Sequence, residues 1–139
     1  MEIPKPTLAA VEDAVQRLAR KIGALSDALP TFGRSEQSGR PHIEVIGKTY
    51  HFVSAERGTE FSREKTTEIE ELLFWIFSSV TFEMAVKYEL AHRIKGQDFR
   101  RLLFQKQFEL LRALNSAWAV RMEKEKEQIL LDHPFVDNQ

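Results

Sequence analysis

Residues 42–66 read HIEVIGKTYHFVSAERGTEFSREKT, and this stretch decides the fold. Apolar and polar residues alternate along much of it, as in a β-strand with one buried face. Gly47-Lys48 and Arg57-Gly58 are residue pairs typical of two-residue hairpin turns. The stretch therefore predicts a three-stranded antiparallel meander over residues 42–66.

The two turns also predict which residues face each other across the meander. The first turn pairs Ile46 with Thr49, and the second places Phe61 across from Ser54. On these registers one face is apolar and carries Ile43, Val45, Tyr50, Phe52 and Phe61. The opposite face is polar, is expected to be exposed, and carries Glu44, His51, Glu60, Ser62 and Glu64.

On both sides of the meander the apolar residues recur at spacings of three and four, which predicts helices. The expected elements are a helix over 7–29, an exposed loop over 31–41, and helices over 67–94, 98–114 and 116–132. The fold class is α+β, with an N-terminal helix, the meander, and a three-helix C-terminal bundle packed on one face of the sheet. The length of 139 residues is that of one ordinary domain, so we expect residues 1–139 to form a single domain.

The composition excludes several classes of protein. The chain has no cysteine, which excludes disulfides and thiolate metal sites and fits a cytoplasmic protein. With 20 basic and 21 acidic residues it lacks the basic excess of a nucleic-acid binder. The longest apolar run, Leu72 to Phe77, is far shorter than the ~20 residues that span a bilayer. Met1 to Leu8 do not have the pattern of a signal peptide.

No motif for catalysis or for metal binding is present in the sequence. The four histidines lie far apart, without the spacing of a zinc site. The serines do not form a nucleophile elbow, and the glycines do not form a phosphate-binding loop. We therefore expect neither an enzyme nor a cofactor, and no metal.

The most uneven charge distribution lies between Glu60 and Glu71, where five glutamates oppose Arg63 and Lys65. Acidic residues at a helix N-terminus have a local explanation, but they also suit docking against a basic partner. The candidate partner-binding residues are Glu44, His51, Glu60, Glu64, Glu68 and Glu71.

Three other charged features have both a structural and a functional interpretation. His51 with Glu44 is interpreted first as a cross-strand polar pair. Arg100 and Arg101 are expected to pair with carboxylates on another element, with binding of an anion or partner as the alternative. The alternating charges from Glu123 to Glu127 are interpreted as a solvated helix face.

Several short motifs occur in an order that resembles a bacterial polymorphic-toxin immunity family, immunity protein 63. They are Tyr50-His51-Phe52-Val53, Glu56-Arg57-Gly58, the run from Glu71 to Trp75, the run from Gln97 to Phe104, and His133-Pro134-Phe135. The likeness extends over roughly residues 43–138.

The resemblance implies an inhibitor that binds a cognate toxin domain delivered by a neighbouring cell, as in contact-dependent inhibition, without catalysis or cofactor. We expect the toxin domain to be basic. The alternative is an adaptor or regulatory domain that binds an endogenous protein. The pattern leaves the oligomeric state open.

Overall fold

A computed structural model describes residues 6–138 of the chain; Met1–Lys5, within the segment inspected for a signal peptide, and Gln139 lie outside it. The chain divides into two compact units, one extending to Ile76 and one beginning at Phe77. The element order is an N-terminal helix, a sheet and three C-terminal helices, as the sequence predicts.

The first unit opens with helix α1, Leu8–Ile22. The Thr7 side chain caps it by accepting a hydrogen bond from the Ala10 N–H at 3.1 Å. Val11, Val15 and Ala19 recur every fourth residue and are buried, so this stripe is the face that α1 turns inward. The helix contacts the second strand of the sheet. It ends at Gly23 and not at residue 29 as predicted, because Gly23 adopts a left-handed conformation with a φ of +69°; a single 3-10 turn, Ser26–Ala28, follows.

The sheet has four strands in the order β1 (Thr31–Phe32), β2 (His42–Ile46), β3 (Thr49–Glu56) and β4 (Thr59–Thr66). Strands β2, β3 and β4 form the expected antiparallel meander. Strand β1 pairs parallel to β2, so the three-stranded antiparallel sheet of the prediction is a four-stranded mixed sheet instead. A strand of two residues is too short to show an alternating pattern, which is why the sequence indicates only a loop there.

The first hairpin has the predicted register, with Ile43 opposite Phe52 and Val45 opposite Tyr50. The second hairpin contains a β-bulge, because Ala55 pairs with Glu60 whereas Ser54 pairs with Ser62. Phe61 is the extra residue, and 65% of it is exposed. Its predicted position across from Ser54 is wrong.

The bulge also changes the face on which the rest of β4 lies, because one extra residue reverses the alternation of side chains. Glu64 pairs with Phe52 and Ser62 pairs with Ser54, so both lie on the face opposite Glu44. The prediction that Glu44, Ser62 and Glu64 share a face is therefore wrong.

Both faces of the sheet contain buried residues. Ile43 and Tyr50 are buried on the predicted apolar face. On the other face His51, Val53 and Ala55 are buried as well. The expectation that this second face is simply exposed is therefore wrong, since the inner strand β3 carries apolar residues on both sides.

The second unit contains most of α2 (Ile69–Ala91), which begins in the first unit, together with α3 (Phe99–Leu114) and α4 (Ser116–Asp132). The Phe77 ring stacks on Trp118 with the ring centroids 6.3 Å apart. The buried Gln107 amide donates a hydrogen bond to the Ser78 carbonyl at 3.0 Å. Helices α3 and α4 pack against each other. Asn115 joins them and caps α4.

Candidate protein-binding surface

A polar cluster on one face of the sheet brings three of the six candidate residues together. Glu44 on β2 lies opposite His51 on β3, as predicted. Arg63 on β4 lies opposite Val53, one pair further along the same face. We call the group the Arg63 cluster; its members are His42, Glu44, His51, Glu60 and Arg63.

The Arg63 guanidinium is the centre of this cluster. Its Nε lies 3.1 Å from Glu60 Oε2 and its Nη2 lies 2.7 Å from Glu60 Oε1. The same guanidinium contacts both oxygens of Glu44, at 3.3 Å from Nη1 and 3.2 Å from Nη2. Two carboxylates therefore share one arginine in bidentate contacts, which are the strongest kind of ion pair that the side chain makes.

The Arg63 cluster also determines the protonation of His51. Arg63 Nη1 lies 2.8 Å from His51 Nδ1, and because a guanidinium can only donate, this nitrogen is the acceptor. The imidazole is therefore neutral and carries its proton on Nε2. Burial, and then the Arg63 charge, lower the pKa of His51. Hydrogen bonds from Arg63 in turn lower the pKa of Glu44 and of Glu60.

His42 extends the cluster toward the buried end of β2. Its Nε2 lies 2.7 Å from Glu44 Oε2. Its Nδ1 is buried, and no atom of residues 6–138 hydrogen-bonds to it. The sequence did not indicate His42 as part of this group, although its position two residues before Glu44 places both on the same side of β2.

The other three candidate residues do not join the Arg63 cluster. Glu64 is exposed on the opposite face of the sheet. Glu68 is exposed just before α2, and its charge adds to burial in raising the pKa of Tyr50. Glu71 lies in the first turn of α2 and is partly exposed. The six residues are thus distributed over both faces of the sheet and the start of α2.

Arg100 and Arg101 pair within the chain, as the sequence favoured, but only Arg101 reaches a carboxylate on another element, since Asp98, the partner of Arg100, caps the same helix. Arg100 Nη2 lies 2.8 Å from Asp98 Oδ2 and also donates to the Pro134 carbonyl. Arg101 pairs with Asp137 at 2.8 Å. These contacts fasten the segment after α4 to the start of α3, so the two arginines have structural partners.

The charge run from Glu123 to Glu127 contains one residue that is not solvated. Helices α3 and α4 and the segment after α4 enclose an apolar groove with a volume of about 380 Å³, which we call the α3–α4 groove. Lys126 is half-buried in it. Its Nζ lies 4.8 Å from the centre of the Phe104 ring and 5.6 Å from that of Phe82.

A signal for Lys126 was present in the sequence. Met122, Lys126 and Leu130 are spaced by four and therefore share one side of α4, and all three line the groove. The solvated-face interpretation holds for Glu123 and Glu125, which are exposed, but it is wrong for Lys126. A run of alternating charges does not reveal which of its residues lies on the buried side of a helix, because neighbouring residues in a helix point in different directions.

The described part of the chain has neither a metal-binding group nor a membrane-spanning helix. Within residues 6–138 no group of three or more His, Asp or Glu side chains is placed to hold a metal ion. None of the helices in this range is both long and apolar enough to cross a bilayer.

Comparison with known protein families identifies the family of this chain. The chain matches the model of the family described as Immunity protein 63 over residues 47–128. That range is more than half of the 139 residues and extends from the first hairpin turn into α4. Neither the curated proteins nor the solved structures give a match. The match confirms the resemblance carried by the short motifs, and the chain belongs to the immunity protein 63 family.

Proposed function

We propose that this chain is an immunity protein that binds a cognate toxin domain and neutralises it by protein–protein contact. The observation that carries the proposal is the family match over residues 47–128. The protein acts in the cytoplasm of the cell that receives the toxin, in a polymorphic-toxin system of the contact-dependent kind. It inhibits by occupying the toxin, so it is not an enzyme and uses no cofactor, nucleic acid or membrane.

The toxin domain is basic and meets exposed carboxylates of the first unit. Glu60, Glu64 and Glu68 are exposed, so they are free of the cost of stripping water from a buried charge. Opposite charges on two partners accelerate their encounter and select its orientation. We call Glu60, Glu64, Glu68 and the partly exposed Glu71 the acidic surface. Glu60 and Glu64 lie on opposite faces of the edge strand β4, so the toxin domain meets both only by covering that edge.

Glu44 and His51 contribute differently to binding. Both hydrogen-bond Arg63 within the chain, and His51 is buried. They hold Arg63, which in turn fixes the carboxylate of Glu60 at the edge of the cluster. A side chain held in place loses less conformational entropy when a partner binds, and this lowers the cost of association.

The first test uses the toxin domain encoded beside the gene. Cells that express this toxin domain should grow only when the chain is co-expressed. The two purified proteins should elute together as a 1:1 complex in size-exclusion chromatography with light scattering. Cell death despite co-expression, together with no complex, would contradict the proposal and favour the adaptor that binds an endogenous protein.

The second test locates the acidic surface. The double variant Glu64→Lys with Glu68→Lys should weaken toxin binding by about tenfold, as expected for reversed charges at an interface. The matched control is Glu109→Lys, since Glu109 is an exposed acidic residue of α3 that does not line the groove. Equal affinities of the double variant and the control, measured by calorimetry, would remove Glu64 and Glu68 from the binding surface.

A further inference from the structure

The α3–α4 groove has the composition of a binding site rather than of a packing fault. Its walls are apolar and aromatic, and it opens to solvent; the residues that form them include Phe104, Phe108, Met122, Leu130 and Phe135. The Phe104 and Phe135 rings lie in contact, with centroids 6.1 Å apart. Pockets that bind a partner group are typically lined in this way, with a small number of polar groups that fix orientation.

Lys126 is the cationic group among these walls. Within residues 6–138 no carboxylate lies within salt-bridge distance of its Nζ. The ammonium instead faces the rings of Phe82 and Phe104. Contacts with aromatic faces replace part of the lost hydration of the ammonium, but they do not neutralise its charge.

Burial lowers the pKa of Lys126, and the nearby Glu125 opposes this effect only in part. A carboxylate brought into the groove would offset the lost hydration, because an opposite charge favours the ammonium form. The Lys126 ammonium is thus without an ion pair among residues 6–138, and the apolar walls of the groove lie beside it.

The charged residues at the rim of the groove further limit which partner segments can bind there. Glu123 and Glu127 line it and are exposed. They would repel an occupant with several acidic residues and would attract basic residues beside a single acidic one. A matching segment has one carboxylate for Lys126, an apolar side chain for the walls of the groove, and basic neighbours for Glu123 and Glu127 at the rim.

We propose that the α3–α4 groove binds a segment of the toxin domain that inserts an apolar side chain between Phe104 and Leu130 and presents one carboxylate to Lys126 Nζ. This inference rests on the proposed function, because it takes the toxin domain as the partner. It adds a second contact, at which the immunity protein supplies the cation. A basic toxin domain fits this site as well, since the Lys126 contact requires only one acidic residue.

The test compares Lys126→Met and Lys126→Glu with wild type in binding to the neighbouring-gene toxin domain. Methionine preserves the apolar packing and removes the charge, so its affinity should fall by about tenfold, as for the loss of a charge-assisted hydrogen bond. Glutamate would repel the carboxylate, so its loss should be larger. The matched control is Lys124→Met, because Lys124 is exposed on α4 and does not line the groove.

The outcomes separate this inference from the proposed function. No complex with the wild-type chain would contradict the proposed function itself. A wild-type complex that Lys126→Met and Lys126→Glu form with unchanged affinity would overturn the groove inference alone. Replacing each acidic residue of the toxin domain by lysine should identify one variant that restores binding to Lys126→Glu, and the lack of any such variant would also count against it.

A small apolar carboxylate is the competing occupant, and decanoate is the probe for it. Decanoate should bind weakly, should shift the NMR signal of the Met122 methyl group, and should compete with the toxin domain. Decanoate binding that leaves toxin affinity unchanged would assign the groove to a small molecule and overturn the inference.

Discussion

Each unit of the chain holds a cation in partly buried surroundings, Arg63 in the sheet and Lys126 among the helices, and the two differ in their partners. Arg63 contacts two carboxylates and a neutral imidazole. Lys126 faces two aromatic rings and has no carboxylate within salt-bridge distance in residues 6–138. The first cation is satisfied within the chain, whereas the second has room for a group from outside.

The difference shows why a cluster of charges in a sequence is weak evidence for a binding surface. The acidic residues around Arg63 form a dense group in the sequence, with five glutamates between Glu60 and Glu71. The charges of Glu44 and Glu60 are partly neutralised within the chain, because both carboxylates pair with Arg63. Lys126 stands among alternating charges, yet its ammonium is partly buried and, within residues 6–138, has no carboxylate at salt-bridge distance.

The largest expected effect comes from removing the cation of the Arg63 cluster. Arg63→Met should lower the free energy of unfolding by about 2 kcal/mol, because it removes the guanidinium that both Glu44 and Glu60 contact and leaves Glu44 with the His42 contact. The loss is below that of a fully buried pair, since 25% of the Arg63 side chain is exposed. Lys65→Met, an exposed change on the same strand, should stay within about 0.5 kcal/mol of wild type in urea denaturation. Equal losses in both variants would mean that the cluster adds no stability.

The next effect distinguishes the two regions by the kinetics of toxin binding. Lys126→Met should raise the dissociation rate by about tenfold, because a partly desolvated contact acts after encounter. The double variant Glu64→Lys with Glu68→Lys should mainly lower the association rate, and more so at low salt, because exposed charges steer encounter. Surface plasmon resonance at two salt concentrations separates the rates. If both variants change the same rate constant, the two regions do not differ in the step of binding at which they act.

A smaller effect concerns pH and tests the neutral form of His51. Its pKa is lowered in the folded chain, so the unfolded chain binds the proton first as pH falls below 6.5. Stability present above pH 6.5 should therefore decrease between pH 6.5 and the lower pKa of the folded chain. Glu44 would act only below pH 4.5, since its pKa is lowered as well.

The test variant for this pH effect is His51→Asn, whose amide oxygen can accept from Arg63 without titrating. Urea midpoints at about pH 7.5 and pH 5.5 should differ less in His51→Asn than in wild type. His133→Asn, at an exposed position, should keep the wild-type difference. A full wild-type difference in His51→Asn would mean that His51 does not carry the pH dependence.

The smallest effect is expected for the stability of Lys126→Met. The change removes a charge that burial disfavours and retains apolar packing, so the free energy of unfolding should stay within about 0.5 kcal/mol of wild type or rise slightly. The variant should therefore bind the toxin domain more weakly without a loss in the free energy of unfolding. For Arg63→Met, in contrast, the main expected effect is the loss in the free energy of unfolding. A decrease of about 2 kcal/mol would show instead that Lys126 supports the fold.

The sequence by itself determined the features that depend on neighbouring residues. Gly47 has a φ of +61°, and Arg57 and Gly58 have φ of +51° and +79°, as two-residue hairpin turns require. The first turn fixes the pairing of Ile43 with Phe52 and of Val45 with Tyr50. Turn type and alternation are local properties of the backbone, so one sequence is enough to predict them.

Only the tertiary structure decided which residues meet over longer distances. The bulge at Phe61 places Glu64 on the face of the sheet opposite Glu44. The two-residue strand β1 pairs parallel to β2. Arg63 acquired its partners from three strands, and Lys126 became half-buried because α3, α4 and the segment after them enclose it. Whether a charge is neutralised within the chain or left for a partner depends on what surrounds it, and those surroundings come from distant parts of the chain.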